Sequence, residues 1–182
     1  IGSTGIKPGF IKIALNSGKL SGSARKILGA AIRAAQATNL VIVSHTVGSA
    51  AMLEALDVMQ ARGFDPSQFI WAHADAADGQ DIQRQMAAEG IWISLDGIGN
   101  RHEQHAAMLK DLITAGLAEK ILISQDSGWY RVGEPKGGKV RPYHTLFTEF
   151  WPFAVQSGIE EKILEQITTT NVAWAMRVRS RE

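Results

Sequence analysis

The stretch LVIVSH, residues 40–45, is a short β-branched run that ends in a histidine. Its apolar residues are continuous rather than alternating, which is typical of a strand buried on both faces of a parallel sheet. Four other stretches have the same length and character, namely FIKIAL (10–15), FIWAHA (69–74), IWISLD (91–96) and ILISQD (121–126). The sequence therefore predicts five strands at these positions.

Helical patterns separate the predicted strands. Each intervening segment repeats apolar residues at helical spacing, and the predicted apolar stripes include Ile27 in the first segment and Leu53 in the second. Gly63, Gly90 and Gly116 stand where the later helices have to stop. Alternation of strand and helix with a repeat of about 30 residues predicts an α/β fold with a parallel sheet.

Length, charge and composition limit the classes of function. The chain has 182 residues, enough for one domain or for part of a larger fold, and we predict a single domain over 1–182. Nineteen basic and 18 acidic residues give a net charge of +1, which predicts no nucleic-acid partner and no membrane surface. The absence of cysteine excludes disulfides, thiolate ligands and a cysteine nucleophile. No apolar run approaches the roughly 18 residues of a membrane span, and we expect a cytoplasmic protein.

Polar side chains end four of the predicted strands: His45, His73, Asp96 and Asp126. Parallel strands deliver such residues to one edge of the sheet, where both barrels and doubly wound sheets bind ligands. Lys12 lies inside the first strand, although an isolated ammonium is costly in an apolar core. Imidazole and carboxylate suit zinc, manganese, iron or cobalt. The pattern alone leaves open both a metal site and histidines with a structural role.

Five segments together resemble the phosphotriesterase-related family of the amidohydrolase superfamily: GFIKIA (9–14), VSHT (43–46), AHADAAD (72–78), SQDSGWY (124–130) and ITTTNVAWAM (167–176). The resemblance implies a (β/α)8 TIM barrel that hydrolyses lactones, other carboxylic esters or organophosphate triesters. It implies two divalent metal ions, zinc foremost and manganese, iron or cobalt as alternatives. Lys12 would be a carbamylated lysine that bridges both metals, and His45 and His73 would bind the more exposed metal. Asp126 would bind the buried metal and act as the acid/base at the bridging hydroxide.

The sequence lacks two parts of this family pattern. The buried metal of the family also needs a His-x-His pair on the first strand, and this sequence has none. The five predicted strands match the fourth to eighth strands, whereas a whole barrel needs about 250 residues. We therefore expect the C-terminal portion of a barrel, about five of eight units, completed by an N-terminal segment or assembled as a homo-oligomer. His102 and His105 fit neither a strand pair nor a zinc-binding helix, and we predict a solvated helix start there.

The residue after Asp96 bears on the substrate. In the best-known organophosphate hydrolases of the family a histidine follows the corresponding aspartate and relays a proton outward, whereas here Gly97 follows. This favours a small-molecule lactone or carboxylic ester, attacked by a metal-bound hydroxide. Phosphotriester or amide hydrolysis stays open as an alternative. So does a non-catalytic barrel remnant that binds an apolar ligand or a partner chain through unpaired sheet edges.

A long loop, residues 127–145, follows the last predicted strand and is rich in glycine, proline and basic residues. Loops of this kind cover functional sites. Trp129, Tyr130 and Arg131 follow Asp126 closely, and an aromatic pair with an arginine could form an apolar wall with a polar handle. We predict that these three residues bind substrate, with packing under the rim as the structural alternative.

Overall fold

A computed structural model describes residues 2–16, 18–79 and 81–178, so that residues 1, 17, 80 and 179–182 of the predicted domain lie outside the described residues. One parallel sheet contains the five strands β1 (Ile11–Leu15), β2 (Ile42–Thr46), β3 (Phe69–Ala72), β4 (Trp92–Leu95) and β5 (Ile121–Ile123). All five predicted strands are confirmed. All five are shorter than predicted, and each of the last three ends before the polar residue expected to close it.

A helix follows each of the first four strands: α1 (Gly22–Thr38), α2 (Ser49–Ala61), α3 (Asp81–Ala88) and α4 (His102–Thr114). Gly63, Gly90 and Gly116 follow the ends of the last three helices, with φ values of 58°, 98° and 75°. A left-handed residue lets a helix stop while its last carbonyls still find partners, and glycine adopts this conformation without a Cβ clash. The predicted helix stops are thus confirmed.

The chain after β5 returns to helix only after a long loop. A π-helical turn, Leu146–Phe150, runs directly into α5 (Trp151–Gln156), and α6 (Glu161–Thr168) and α7 (Thr170–Met176) follow. In the part of the chain that the structure describes, no helix has the length and apolarity needed to cross a membrane.

The strand order distinguishes between the two sheet architectures that the sequence left open. Each strand pairs in parallel with its sequence neighbours, and the order β1-β2-β3-β4-β5 never reverses. A doubly wound sheet reverses its order at a switch point, whereas a barrel winds in one direction. The sheet is therefore built as a segment of a (β/α)8 barrel.

The two faces of the sheet have different cores. On the outer face the strands and the helices share one large cluster, which includes Leu15, Ile42, Phe69, Ile93, Leu28, Met52 and Leu109. On the inner face a smaller cluster joins strand residues to α7, and its buried members are Val41, Ile70, Trp92, Leu122 and Ala175. The amide of Asn171 ties α7 to the sheet, since its Nδ2 donates to the carbonyls of Ala118 and Ile121 at 2.8 Å each.

Burial along β1 corrects one prediction. Ile13 and Leu15 are buried, but Lys12 and Ala14 on the opposite face are exposed, so β1 is not buried on both faces as predicted. Among the described strands β1 pairs only with β2, and its inner face is uncovered, whereas β3 and β4 are buried at every residue. The predicted helix stripes were also too wide, because Ile27 is 49% and Leu53 39% exposed.

Candidate active site

The carboxyl ends of the strands surround a cleft of about 510 Å³. Lys12 from β1 and His45 from β2 line it, together with His73, Asp96 and Asp126 from the segments that follow the next three strands. The structure therefore brings the four predicted metal ligands, Lys12, His45, His73 and Asp126, into one cleft. The winding of the sheet explains this, since every strand delivers its last residues to the same edge.

The two histidines of the cleft are in contact. The imidazoles of His45 and His73 lie edge to face, with ring centroids 4.5 Å apart and 68° between their planes. Burial, followed by the neighbouring His73 and Lys12, lowers the pKa of His45 below its ordinary value. A histidine must be neutral to bind a metal, so this environment favours the form that can act as a ligand.

Two of the predicted ligands have left-handed backbones, with φ of 64° at His73 and 40° at Asp126. Such conformations are strained by roughly 1 kcal/mol or more outside glycine and persist only where the surroundings impose them. At His73 the constraint is visible, because its backbone N–H donates to Asp96 Oδ2 at 2.7 Å. The chain leaves β3 at Ala72 and turns at His73 into the 3-10 turn Ala74–Ala76. The prediction that His73 and Asp126 belong to their strands is wrong, since a left-handed residue cannot continue a strand.

Asp96 joins the ends of three strands. Its Oδ1 accepts hydrogen bonds from Ser94 Oγ at 2.6 Å and from Ser124 Oγ at 2.8 Å. Its Oδ2 accepts the His73 amide and lies 3.6 Å from His73 Nδ1. The carboxylate is only 6% exposed, so these contacts rather than water satisfy it.

A second buried carboxylate, Asp75, lies behind Asp96. Its Oδ1 accepts the backbone N–H of Asp96 at 3.0 Å, and its Oδ2 accepts that of Gly97 at 3.1 Å. His105 of α4 places Nε2 3.1 Å from Asp75 Oδ2 and Nδ1 3.0 Å from the carbonyl oxygen of Arg101. Both ring nitrogens face oxygen atoms, so the imidazole links Asp75 to the start of α4. Burial raises the pKa of Asp75, but hydrogen bonds from His105 and from the Asp96 amide outweigh it, and the pKa is lowered overall.

This pair corrects the prediction of a solvated helix start. His105 is fully buried, because the first turns of α4 pack against the turn that carries Asp75. His102 lies against aromatic rings instead, with centroids 5.7 Å from Phe150 and 5.6 Å from Phe153. Its Nε2 is buried without a hydrogen-bond partner. Sequence reasoning missed Asp75 and His105, and the only signal for them was a carboxylate within the segment AHADAAD and a histidine at a helix start.

Lys12 can lie in an otherwise apolar strand because its side chain faces the cleft rather than the core. Its side chain is exposed, and Nζ donates to the carbonyl of Ile13 at 3.2 Å. Partial burial lowers the pKa of Lys12, and the nearby carboxylates of Asp96 and Asp126 oppose that shift. The amine is therefore neutral more often than an ordinary lysine.

Residues 1–174 match the profile of the Phosphotriesterase family. The chain belongs to the phosphotriesterase family. It is 31% identical over 176 residues to a phosphotriesterase homology protein of Escherichia coli, covering 94% of this chain and 60% of that protein. It is 26% identical over 181 residues to an aryldialkylphosphatase of Saccharolobus solfataricus, covering 91% of this chain and 56% of that enzyme. The chain thus spans somewhat more than half the length of these relatives.

Two solved structures have the same fold. The crystal structure of the Escherichia coli homology protein, complexed with phosphate in its active site, superposes with a TM-score of 0.86 at 30% identity, covering 97% of this chain and 62% of that one. A lactonase from Listeria monocytogenes superposes with a TM-score of 0.87 at 21% identity, covering 98% and 56%. The predicted family and the predicted TIM-barrel fold are confirmed.

The cleft at the carboxyl edge of the sheet contains side chains of the types that bind divalent metal ions. Two imidazoles in contact, a carboxylate and a lysine of lowered pKa share one cleft. Within residues 2–16, 18–79 and 81–178, however, no three His, Cys, Asp or Glu side chains form a group that could hold a metal ion. The donor chemistry fits, while the described residues alone supply fewer than three such ligands at any one point.

The three predicted substrate-binding residues have different surroundings in the structure. Trp129 lines the cleft and is 60% exposed at its rim. Tyr130 packs against the loop itself, where a Cβ on Gly137 would lie 2.2 Å from its ring. Arg131 pairs with Glu134 at 3.4 Å. Of the three, Trp129 alone is among the residues that line this cleft.

Arg141 lines the cleft from the same loop, although sequence reasoning did not single it out. Its guanidinium donates to the carbonyl oxygens of Asp126 at 3.4 Å and Ile98 at 3.3 Å. It therefore ties the loop to the segments after β4 and β5. A single arginine in a basic loop gives no sequence signal that would have marked it.

Proposed function

We propose that the protein containing this chain is a metal-dependent hydrolase of lactones or other carboxylic esters. The observation that carries the proposal is the convergence of Lys12, His45, His73 and Asp126 on one cleft at the carboxyl edge of the sheet. Membership of the phosphotriesterase family supports it, and one relative is named as an aryldialkylphosphatase. The homology protein of Escherichia coli, which has the same fold, holds phosphate in its active site.

The metal ligands of the proposal follow from the chemistry of the side chains. His45 and His73 would hold one divalent ion, for which the lowered pKa of His45 favours neutral imidazole. Lys12 would bind through a carbamate, which a neutral lysine amine forms with carbon dioxide as it releases a proton, and the lowered pKa of Lys12 favours that amine. The carbamate would add an oxygen ligand beyond the His and Asp donors. Asp126 would bind the second ion, with zinc as the first candidate and manganese, iron or cobalt as alternatives.

Two divalent ions would lower the pKa of a shared water and polarise the substrate oxygen. The chain's own part is to orient the substrate and move a proton. We assign the acceptance of that proton to Asp126, whose carboxylate lies in the cleft close enough to Lys12 to influence the pKa of its amine. Trp129 offers an apolar surface at the rim, which suits the hydrocarbon part of an ester.

Gly97 supports a carboxylic ester over a phosphotriester as the substrate. The proton-relaying histidine of the best-known organophosphate hydrolases has no counterpart after Asp96. A side chain would not fit there, since a Cβ on Gly97 would lie 2.5 Å from Asp75 Oδ2. Phosphotriester hydrolysis is the second candidate, favoured by the name of the 26% identical relative.

Metal content and hydrolysis of the natural polypeptide that contains this sequence test the proposal. We expect bound zinc or a related ion by elemental analysis, and hydrolysis of a γ- or δ-lactone faster than that of a dialkyl aryl phosphate. Asp126→Asn should lower kcat for the lactone by about 100-fold or more. Asp57→Asn, a matched change at an exposed position of α2, should leave kcat unchanged.

The outcomes distinguish the candidates. A phosphotriester hydrolysed faster than every lactone would favour the second candidate. A purified protein that binds no metal and hydrolyses neither substrate would overturn the proposal and point to a non-catalytic barrel.

A further inference from the structure

At the edge of the sheet, the buried carboxylates of Asp75 and Asp96 each fix the backbone near the other through hydrogen bonds. Asp75 accepts the amide N–H of Asp96, and Asp96 in turn accepts the amide N–H of His73, two residues before Asp75. The turn after β3 and the turn after β4 are thereby locked together by reciprocal bonds. We name this arrangement, made of His73, Asp75, Asp96 and Gly97, the carboxylate clamp.

His105 supports the clamp from outside the cleft. It is fully buried on α4, and its Nε2 lies 3.1 Å from Asp75 Oδ2. The other oxygen of Asp75 is used by the Asp96 amide, and Oδ2 also receives the Gly97 amide at 3.1 Å. Asp75 is therefore oriented by three donors from two different elements. Asp75 also lines the cleft, but both of its oxygens are engaged by these donors.

We propose that Asp75 and His105 are positioning residues that fix the carboxylate clamp and thereby aim the imidazole of His73 into the cleft. The step from clamp to imidazole is direct, because His73 adopts a left-handed backbone only while Asp96 holds its amide at 2.7 Å. Loss of the Asp75 contacts frees Asp96 and Gly97, and His73 then relaxes toward an ordinary conformation. The consequence for metal binding rests on the proposed function, whereas the consequence for the backbone does not.

The geometry distinguishes this role from general stabilisation. Asn171 is an equally buried polar residue, 2% exposed, that satisfies two carbonyls at the opposite end of β5. Its loss removes hydrogen bonds without touching the clamp. Asn171 also accepts a hydrogen bond from Gln166 Nε2 at 3.4 Å, so that it makes three side-chain hydrogen bonds, as Asp75 does, and Asn171→Ala is a control for destabilisation.

The test compares Asp75→Asn, His105→Gln and Asn171→Ala in the natural polypeptide that contains this sequence. Asp75→Asn replaces one acceptor oxygen by a donor N–H₂, so that at least one of the three donors that now meet Asp75 loses its acceptor. Amide hydrogen exchange, followed by mass spectrometry under native conditions, reads the peptide that covers residues 92–98 and one within α1. Zinc affinity is measured separately by competition with a chromophoric chelator.

We expect exchange of the 92–98 peptide to accelerate at least 10-fold in Asp75→Asn and His105→Gln, after correction by the α1 peptide, and to stay unchanged in Asn171→Ala. Zinc affinity should fall about 10- to 100-fold in the first two variants only, as for other residues that orient metal ligands. The double variant Asp75→Asn/His105→Gln should lose little more than either single variant, since both act on one clamp.

Unchanged corrected exchange in both site variants would overturn the positioning role. Accelerated exchange with unchanged zinc affinity would overturn the link from clamp to His73. A wild-type protein that binds no zinc would instead count against the proposed function, while the exchange result would still decide the clamp. If neither site variant folds, hydrogen exchange of the wild-type protein tests the proposal instead. If the carboxylate clamp holds this backbone, the amides of Asp96 and Gly97 exchange only through global unfolding. Rapid local exchange of those two amides would refute the proposal.

Discussion

Substitution of Gly97 by alanine probes the tightest contact of the site. An added Cβ would lie 2.5 Å from Asp75 Oδ2, where ordinary contact begins at 3.4 Å, so the carboxylate would have to retreat by the 0.9 Å between these distances. Such a retreat would stretch the Gly97 amide hydrogen bond, now 3.1 Å, beyond a useful length. Overpacking costs about 1–3 kcal/mol and a lost hydrogen bond to a charged group about 1.5–3 kcal/mol. We expect Gly97→Ala to lower the free energy of unfolding by about 3 kcal/mol.

Urea unfolding followed by tryptophan fluorescence measures this effect, with fully buried Trp71 among the reporters. At a slope of about 2–3 kcal/mol/M, the midpoint should fall by about 1 M. Gly22→Ala is the matched control, because nothing lies within 4 Å of its added Cβ at the start of α1. It should leave the midpoint unchanged or raise it slightly. A Gly97→Ala midpoint equal to that of wild type, at an unchanged slope, would refute the close packing of Asp75 on this turn.

Three further predictions concern the pair, the fold and the rim. The pKa of Asp75 is lower in the folded than in the unfolded chain, so its stabilisation is present above the unfolded value of about 4 and is lost as the pH falls through the folded value. Urea titrations from about pH 5 to about pH 3 should show a smaller loss of stability for Asp75→Asn than for wild type, and an equal loss would contradict the lowered pKa of Asp75. Asn171→Ala should lower the free energy of unfolding by about 1–3 kcal/mol, because it removes the side-chain donor from the carbonyls of Ala118 and Ile121, and a change below about 0.5 kcal/mol would argue against those bonds. Trp129→Ala should raise KM for an apolar ester about 10-fold at nearly constant kcat, whereas a fall in kcat alone would exclude a binding role.

Hydrophobic patterning predicted the architecture because each strand carries its own signal. Continuous apolar runs ending in polar residues mark β3 and β4, which are buried at every residue, and the helix stops at Gly63, Gly90 and Gly116 follow from the left-handed conformation that they require. The common edge of the sheet then follows from parallel winding alone. The position of His45 in the cleft could be predicted in this way, because it lies within β2 and faces inward by strand alternation.

The exposure of Lys12 could not be predicted, because it depends on which face of β1 the rest of the molecule covers. A local run such as FIKIAL shows only that apolar residues dominate, and both Lys12 and Ala14 lie on the face that the helices leave uncovered. The predicted apolar stripes of the helices were too wide at Ile27 and Leu53 for the same reason. The exposure of these residues is set by the neighbouring elements rather than by helical spacing.

The direction of His73 depends on contacts that no local pattern carries. Its amide is held by Asp96, 23 residues later, and Asp96 is held by Asp75, which is itself oriented by His105, 30 residues beyond it. A histidine at a strand end predicts an imidazole near the edge of the sheet. The strained backbone that orients this imidazole depends on the contacts that begin at His105 of α4. Because the strain persists only while these bonds are made, a change at His105 on the buried side of α4 should reach the cleft through the carboxylates of Asp75 and Asp96 and the backbone of His73.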